Sequence, residues 1–173
     1  MSRQDDVLRL MKESLHIATP VHVARCLKNP THSGRVQAQR ALNSLVELNL
    51  LERRDKFYLL PDCKSEGGEH ALAVSDVISE IHFQFEAKVF REKLIEEKSL
   101  RPDIMALIRK NGNALCLIIE VVREESPEDL QMKRSVWEEW TEACAYLSKL
   151  FQTTIPCFNF ITSDELKEGL CAG

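Results

Sequence analysis

The sequence predicts a mixed α+β to α/β fold in two parts, a small helical head followed by an α/β body. Three observations predict it. Helical spacing dominates the first sixty residues and ends in a hairpin signal. A polar stretch with the adjacent glycines Gly67-Gly68 follows. Beyond it, strand-like apolar runs alternate with long amphipathic patterns. The 173 residues suit one domain or two small ones. With 44% hydrophobic and 29% charged residues, the composition is that of a folding chain rather than a disordered one. Residues 1–62 carry a balance of +3 and residues 63–173 one of −7, giving −4 in all. A basic head and an acidic body suggest two tasks.

In the head, Asp5 to about His16 places Val7, Leu8, Leu10, Met11 and Leu15 at helical spacing, with two acids in the first turn. Thr19-Pro20 reads as an N-cap with proline at the first helical position, opening a short helix through Leu27. Asn29-Pro30 breaks the chain. Ser33 is read as the next cap, and from there to about Leu48 an apolar stripe runs through Ala38, Ala41, Leu42, Leu45 and Val46. The runs Leu50–Arg54 and Phe57–Leu60 flank Asp55-Lys56 as a hairpin. Helix, short helix, longer helix, hairpin is the order of a winged helix-turn-helix, assigned here to 1–62, whose last helix enters the DNA major groove. Its polar face supplies Ser33, Arg35, Gln37, Gln39, Arg40 and Asn43. Arginine, glutamine and asparagine can each make paired hydrogen bonds to base edges. Arg53, Arg54 and Lys56 on the wing suit phosphates. These nine residues are the expected DNA contacts, and Ser44 to Arg54 resembles the helix-to-wing joint of winged-helix regulators.

Residues 63–69 read as a connector. From His70 to about Phe90, Leu72, Val74, Val77, Ile78, Ile81, Phe85 and Val89 predict one long amphipathic helix. Leu94 and Ile95 suit either its continuation or an edge strand. Arg101-Pro102 stops any helix. Ile104–Ile108 and Ala114–Val122 read as strands around a turn at Asn111-Gly112-Asn113. The second strand is apolar except for Glu120, as a doubly covered strand is. Ser126-Pro127 caps a helix running to about Phe151, where Leu130, Trp137, Cys144 and Phe151 recur every seven residues as a core stripe. Thr154–Ile161 is a final strand. Hairpin-then-crossover is the order in the core of restriction-endonuclease-like nucleases, so 70–173 is assigned to a degenerate domain of that kind.

In that fold an Asp on one strand and a Glu on the next bind Mg²⁺, and a Lys two residues beyond the Glu helps polarise water. The matching residues are Asp103 and Glu120, with Val122 at the lysine position and Lys133 on the next helix able to stand in. The arrangement resembles the replication-relaxation family of plasmid and mobile-element proteins, from about Asp5 to Ile161. The resemblance is carried by His70-Ala71-Leu72-Ala73-Val74 with Asp76, by Leu100-Arg101-Pro102-Asp103, by Ile119-Glu120-Val121-Val122-Arg123, and by Leu130, Lys133 and Trp137. Val122 stands where the family's third motif usually has Asp. The resemblance implies a DNA-binding accessory or regulatory protein of plasmid replication or transfer. Its partners would be double-stranded DNA, a second copy as a homodimer, or a replication or transfer protein. No enzymatic activity and no cofactor are expected on this reading. A Mg²⁺- or Mn²⁺-dependent nuclease using Asp103, Glu120 and Lys133 is the alternative, and a ligand-responsive transcription regulator is a third.

The six cysteines form no C-x-x-C pair and have no histidine at zinc spacing, so most read as small buried hydrophobes. The five histidines are scattered and read as surface or capping residues. No apolar run approaches the roughly 18 residues of a membrane helix. The opening Met1–Asp6 lacks the apolar stretch of a signal peptide. A cytoplasmic protein with no membrane partner is expected.

Overall fold

In the computed structural model, residues 3–63, 68–110 and 112–171 are described. The chain is mixed α+β and divides into two units at Phe85/Glu86. In the first unit, α1 (Arg3–Leu10) passes into a π-helical turn (Met11–Leu15), followed by β1 (Ile17–Ala18), α2 (Pro20–Cys26), α3 (His32–Glu47), β2 (Glu52–Arg54), β3 (Phe57–Leu59) and α4 (Gly68–Gln84). The three strands are antiparallel in the order β1-β3-β2, with Ile17 opposite Leu59 and Arg53 opposite Tyr58. The apolar stripe of α3 is buried as its spacing requires: Ala38, Ala41, Leu42 and Leu45 are each 6% exposed or less. Pro20 opens α2, and a capping box closes its first turn, the Thr19 amide donating to His22 Nδ1 at 3.2 Å.

The division differs from the one the sequence suggests. Lys64–Gly67, most of the expected connector, lie outside the described residues, and Gly68 and Glu69 already belong to α4. That helix packs on α2 and β1, so it is part of the head and not the first element of the body. Ser75 fixes it: its Oγ donates to the Ile17 carbonyl at 2.5 Å, and Ala71 joins the small cluster of Ile17 and Leu59. Asp76 accepts from His22 Nε2 at 2.9 Å, and Arg25 lies 3.9 Å from both Asp76 and Glu80.

The second unit holds β4 (Glu86–Arg91), a short 3₁₀ turn (Glu96–Lys98), β5 (Ile104–Lys110), β6 (Asn113–Glu120), α5 (Pro127–Glu139), α6 (Ala143–Phe151), β7 (Asn159–Thr162) and α7 (Ser163–Cys171). The sheet order is β4-β5-β6-β7, antiparallel except for the parallel β6–β7 pair, which the α5–α6 crossover makes possible. Three expectations fail here. The helix stops at Gln84, and Val89 sits in an edge strand. The single helix to Phe151 is two helices, turned at Trp140–Glu142. The last strand begins at Asn159, and a terminal helix follows it. The turn predicted at Asn111 falls partly outside the described residues, while Gly112 takes φ +80°. Trp137 and Trp140 are core residues, their rings 5.6 Å apart, packed with Met105, Ile118, Leu147 and Phe151.

Candidate nucleic-acid interface

The turn between α2 and α3 is set by one contact. Thr31, rather than Ser33, is the N-cap of α3, its Oγ1 accepting from Gly34 N at 3.1 Å and donating to Asn29 Oδ1 at 2.8 Å. This brings Gly34 so close to Asn29 that a Cβ on it would lie 1.9 Å from the Asn29 carbonyl oxygen. Glycine therefore sets how closely α3 follows α2.

The nine expected DNA contacts separate into two groups. Ser33, Arg35 and Arg40 are exposed on α3, and Arg53, Arg54 and Lys56 are exposed on the β2–β3 hairpin. Arg35 is steered by a 3.1 Å bond from its Nε to the Pro30 carbonyl, Arg53 lies 5.7 Å from the Tyr58 ring centre, and Arg54 pairs with Glu52 at 3.2 Å. Gln39 and Asn43 are held differently. The Tyr58 hydroxyl donates to Asn43 Oδ1 at 2.6 Å, and Gln39 Nε2 donates to both Tyr58 and Asn43. Tyr58 is 1% exposed, so these two amides tie α3 to β3. Gln37 accepts from Arg3 and donates to Ser33 at 3.4 Å, linking α1 to α3. Thr31, Asn29 and Tyr58 are the residues that sequence reasoning missed. Thr31 after Asn29-Pro30 is a legible cap signal, whereas nothing in the local pattern marks Tyr58 as a partner of α3.

A second cluster lies at the ends of β5 and β6. Glu120 is 4% exposed and accepts from Lys133 Nζ at 2.8 Å. Asp103 Oδ2 accepts from Val121 N at 2.8 Å, bridging the two strand ends. Val122 N donates to Ser163 Oγ at 3.2 Å, and Glu125 lies 4.0 Å from Lys133. Burial raises the Glu120 pKa and the nearby Asp103 and Glu125 charges add to this, while Lys133 opposes it. Burial works against the Lys133 charge, but the Glu120 hydrogen bond and the three surrounding carboxylates outweigh it and hold the ammonium above its ordinary pKa. Arg101 pairs with Glu92 at 3.3 Å. Among the described residues no group of three His, Cys, Asp or Glu is arranged to hold a metal.

No family model, curated protein or solved structure matches the chain. Among the described residues no helix is long and apolar enough to cross a membrane.

Proposed function

We propose that the chain is a DNA-binding accessory protein of plasmid or mobile-element replication or transfer. Its head is a winged helix, and its body is a degenerate restriction-endonuclease-like domain that mediates dimer or partner contacts. The observation that carries this reading is the α2–turn–α3 unit followed by the β2–β3 hairpin. It leaves Arg35 and Arg40 exposed on the helix, and Arg53, Arg54 and Lys56 exposed on the hairpin. A helix in the major groove needs exposed donors, and a wing needs cations for phosphates.

Anisotropy of a labelled duplex tests it. Binding should weaken steeply as salt rises, and the DNA should stay intact with Mn²⁺ present. The Arg35→Ala/Arg40→Ala variant should lose roughly tenfold or more in affinity, since each good base contact is worth about 1–3 kcal/mol. Unchanged affinity rejects the assignment of α3. A dimer with two heads would read two half-sites, and sedimentation that finds only monomer with DNA present removes that part.

A second reading is favoured by the buried Glu120 carboxylate beside Asp103, with a lysine on it. Two adjacent carboxylates fit a hard divalent cation, which Asp103 and Glu120 would hold. Such a cation supplies an activated water for phosphodiester hydrolysis. In this reading Lys133 orients the Glu120 carboxylate and takes the role that Val122 cannot. Mn²⁺-dependent cutting that disappears in Asp103→Ala would establish it in place of the first reading.

A further inference from the structure

Three thiols lie near one another in the body, on three different elements: Cys116 on β6, Cys144 on α6, and Cys157 in the segment leading to β7. They are not equivalent. Cys116 is 3% exposed, and burial, with Cys144 and Cys157 beside it, pushes its thiol up to about 12. It stays protonated and unreactive. Cys144 is half-buried and Cys157 exposed, against the expectation that Cys157 lies inside a strand. The Cys144 thiol donates to the Pro156 carbonyl oxygen at 3.5 Å. That carbonyl and the Cys157 nitrogen share one planar peptide unit, so the sulfur of Cys144 rests against the peptide that carries Cys157. Both thiols line one open cleft of about 430 Å³, whose other walls include Trp137, Trp140 and Phe158.

We infer that Cys144 and Cys157 form a thiol–disulfide exchange site for a small disulfide of the glutathione class. Exposure makes Cys157 the attacking group. Its thiolate bonds to one sulfur of the small disulfide, the S–S bond there breaks, and one small thiolate leaves and takes a proton. Cys144 then gives its proton to solvent and attacks the Cys157 sulfur. The mixed disulfide breaks, and the second small thiolate leaves and is protonated. Two protein thiols are oxidised to one disulfide, and the small disulfide is reduced to two thiols. The product joins the first turn of α6 to the approach of β7 across the mouth of the aromatic cleft.

The test uses the full chain and glutathione disulfide, read by intact mass and peptide mapping. The oxidised protein should lose the mass of two hydrogens, retain no glutathione, and lose alkylation at Cys144 and Cys157 alone. Cleavage after Lys149 separates these two cysteines, so the disulfide should appear as a linked peptide pair that reductant dissolves. Cys144→Ser should stop at glutathione retained on Cys157. Wild-type protein that keeps glutathione on Cys157 with Cys144 still free, or that forms its disulfide through another cysteine, overturns the inference.

Discussion

Gly34 is where a single methyl group has the largest consequence in the head. Its missing side chain is occupied by Asn29, so Gly34→Ala must push α3 off the α2 turn. A loss of roughly 3 kcal/mol is expected from such overpacking, read as a lower denaturation midpoint together with lost DNA affinity. Asn43 and Arg40 should separate stability from binding. Asn43→Ala leaves the buried Tyr58 hydroxyl with a poorer partner and should cost about 1–2 kcal/mol. Arg40→Ala, on the exposed face, should change stability by no more than about 0.5 kcal/mol and lower duplex affinity. If Asn43→Ala weakened binding without changing the midpoint, its assignment to the fold would be wrong. At the body's cluster, Lys133→Met removes the cation from a buried carboxylate. Because 41% of the lysine side chain is exposed, the expected cost is about 1–2 kcal/mol, below the range for a fully buried pair. These residues also mark the limit of sequence reading. Helical spacing identifies the polar face of α3, but the hairpin that covers one flank of that face is set by tertiary pairing. Gln39 and Asn43 therefore look like Arg40 until Tyr58 is in place.

At the scale of elements, α4 carries the clearest lesson. Phe85 to Val89 continues the helical gap of four, and no Gly or Pro interrupts it, so the change to a strand is invisible to periodicity. The strand that follows, Glu86–Arg91, alternates exposed Glu86 and Lys88 with more buried neighbours, as an edge strand does. The α5–α6 break is hidden in the same way, because the seven-residue recurrence of Trp137, Cys144 and Phe151 runs straight across the turn at Trp140–Glu142. Proline-led caps at Thr19 and Ser126 were legible because their chemistry is local. Within α4, burial holds the His82 imidazole below its ordinary 6.5, and the Lys28 charge adds to this. Its Nε2 has no hydrogen-bond partner among the described residues. The unfolded chain therefore takes up this proton at a higher pH than the folded chain does. Stability should fall as the pH drops from about 6.5 through the folded pKa and then level off. Urea midpoints across that window should show a shallower slope for His82→Phe, and an unchanged slope would remove His82 as the cause.

For the whole molecule, the charge asymmetry changes when the division is placed at Phe85. Residues 1–85 then hold 11 Lys+Arg and 11 Asp+Glu, a net charge of zero. Two of the acids that α4 contributes, Asp76 and Glu80, lie against His22 and Arg25. Any DNA affinity must therefore come from where the cations stand, on α3 and the hairpin, and not from net charge. Arg53→Ala should weaken binding about equally for all duplex sequences and lower the salt slope by about 1, as loss of one phosphate contact does. A drop confined to one sequence would make Arg53 a base reader instead. A fragment ending at Phe85 should fold cooperatively, and one ending at Asp62 should melt lower because it lacks the Ser75 and Asp76 contacts. Equal midpoints would detach α4 from the head.

The parallel β6–β7 pair also sets an order of assembly. The β4–β5–β6 meander can form once Glu120 has emerged from the ribosome, but the partner of β6 emerges only after two helices, at Asn159. In the interval, the Leu117–Glu120 edge of a strongly apolar strand has no neighbour on that side. Pairing over that separation is slow relative to hairpin closure. The body is therefore exposed to strand addition from other chains for as long as the ribosome takes to deliver β7, and chains truncated before Asn159 should aggregate where the 173-residue chain does not.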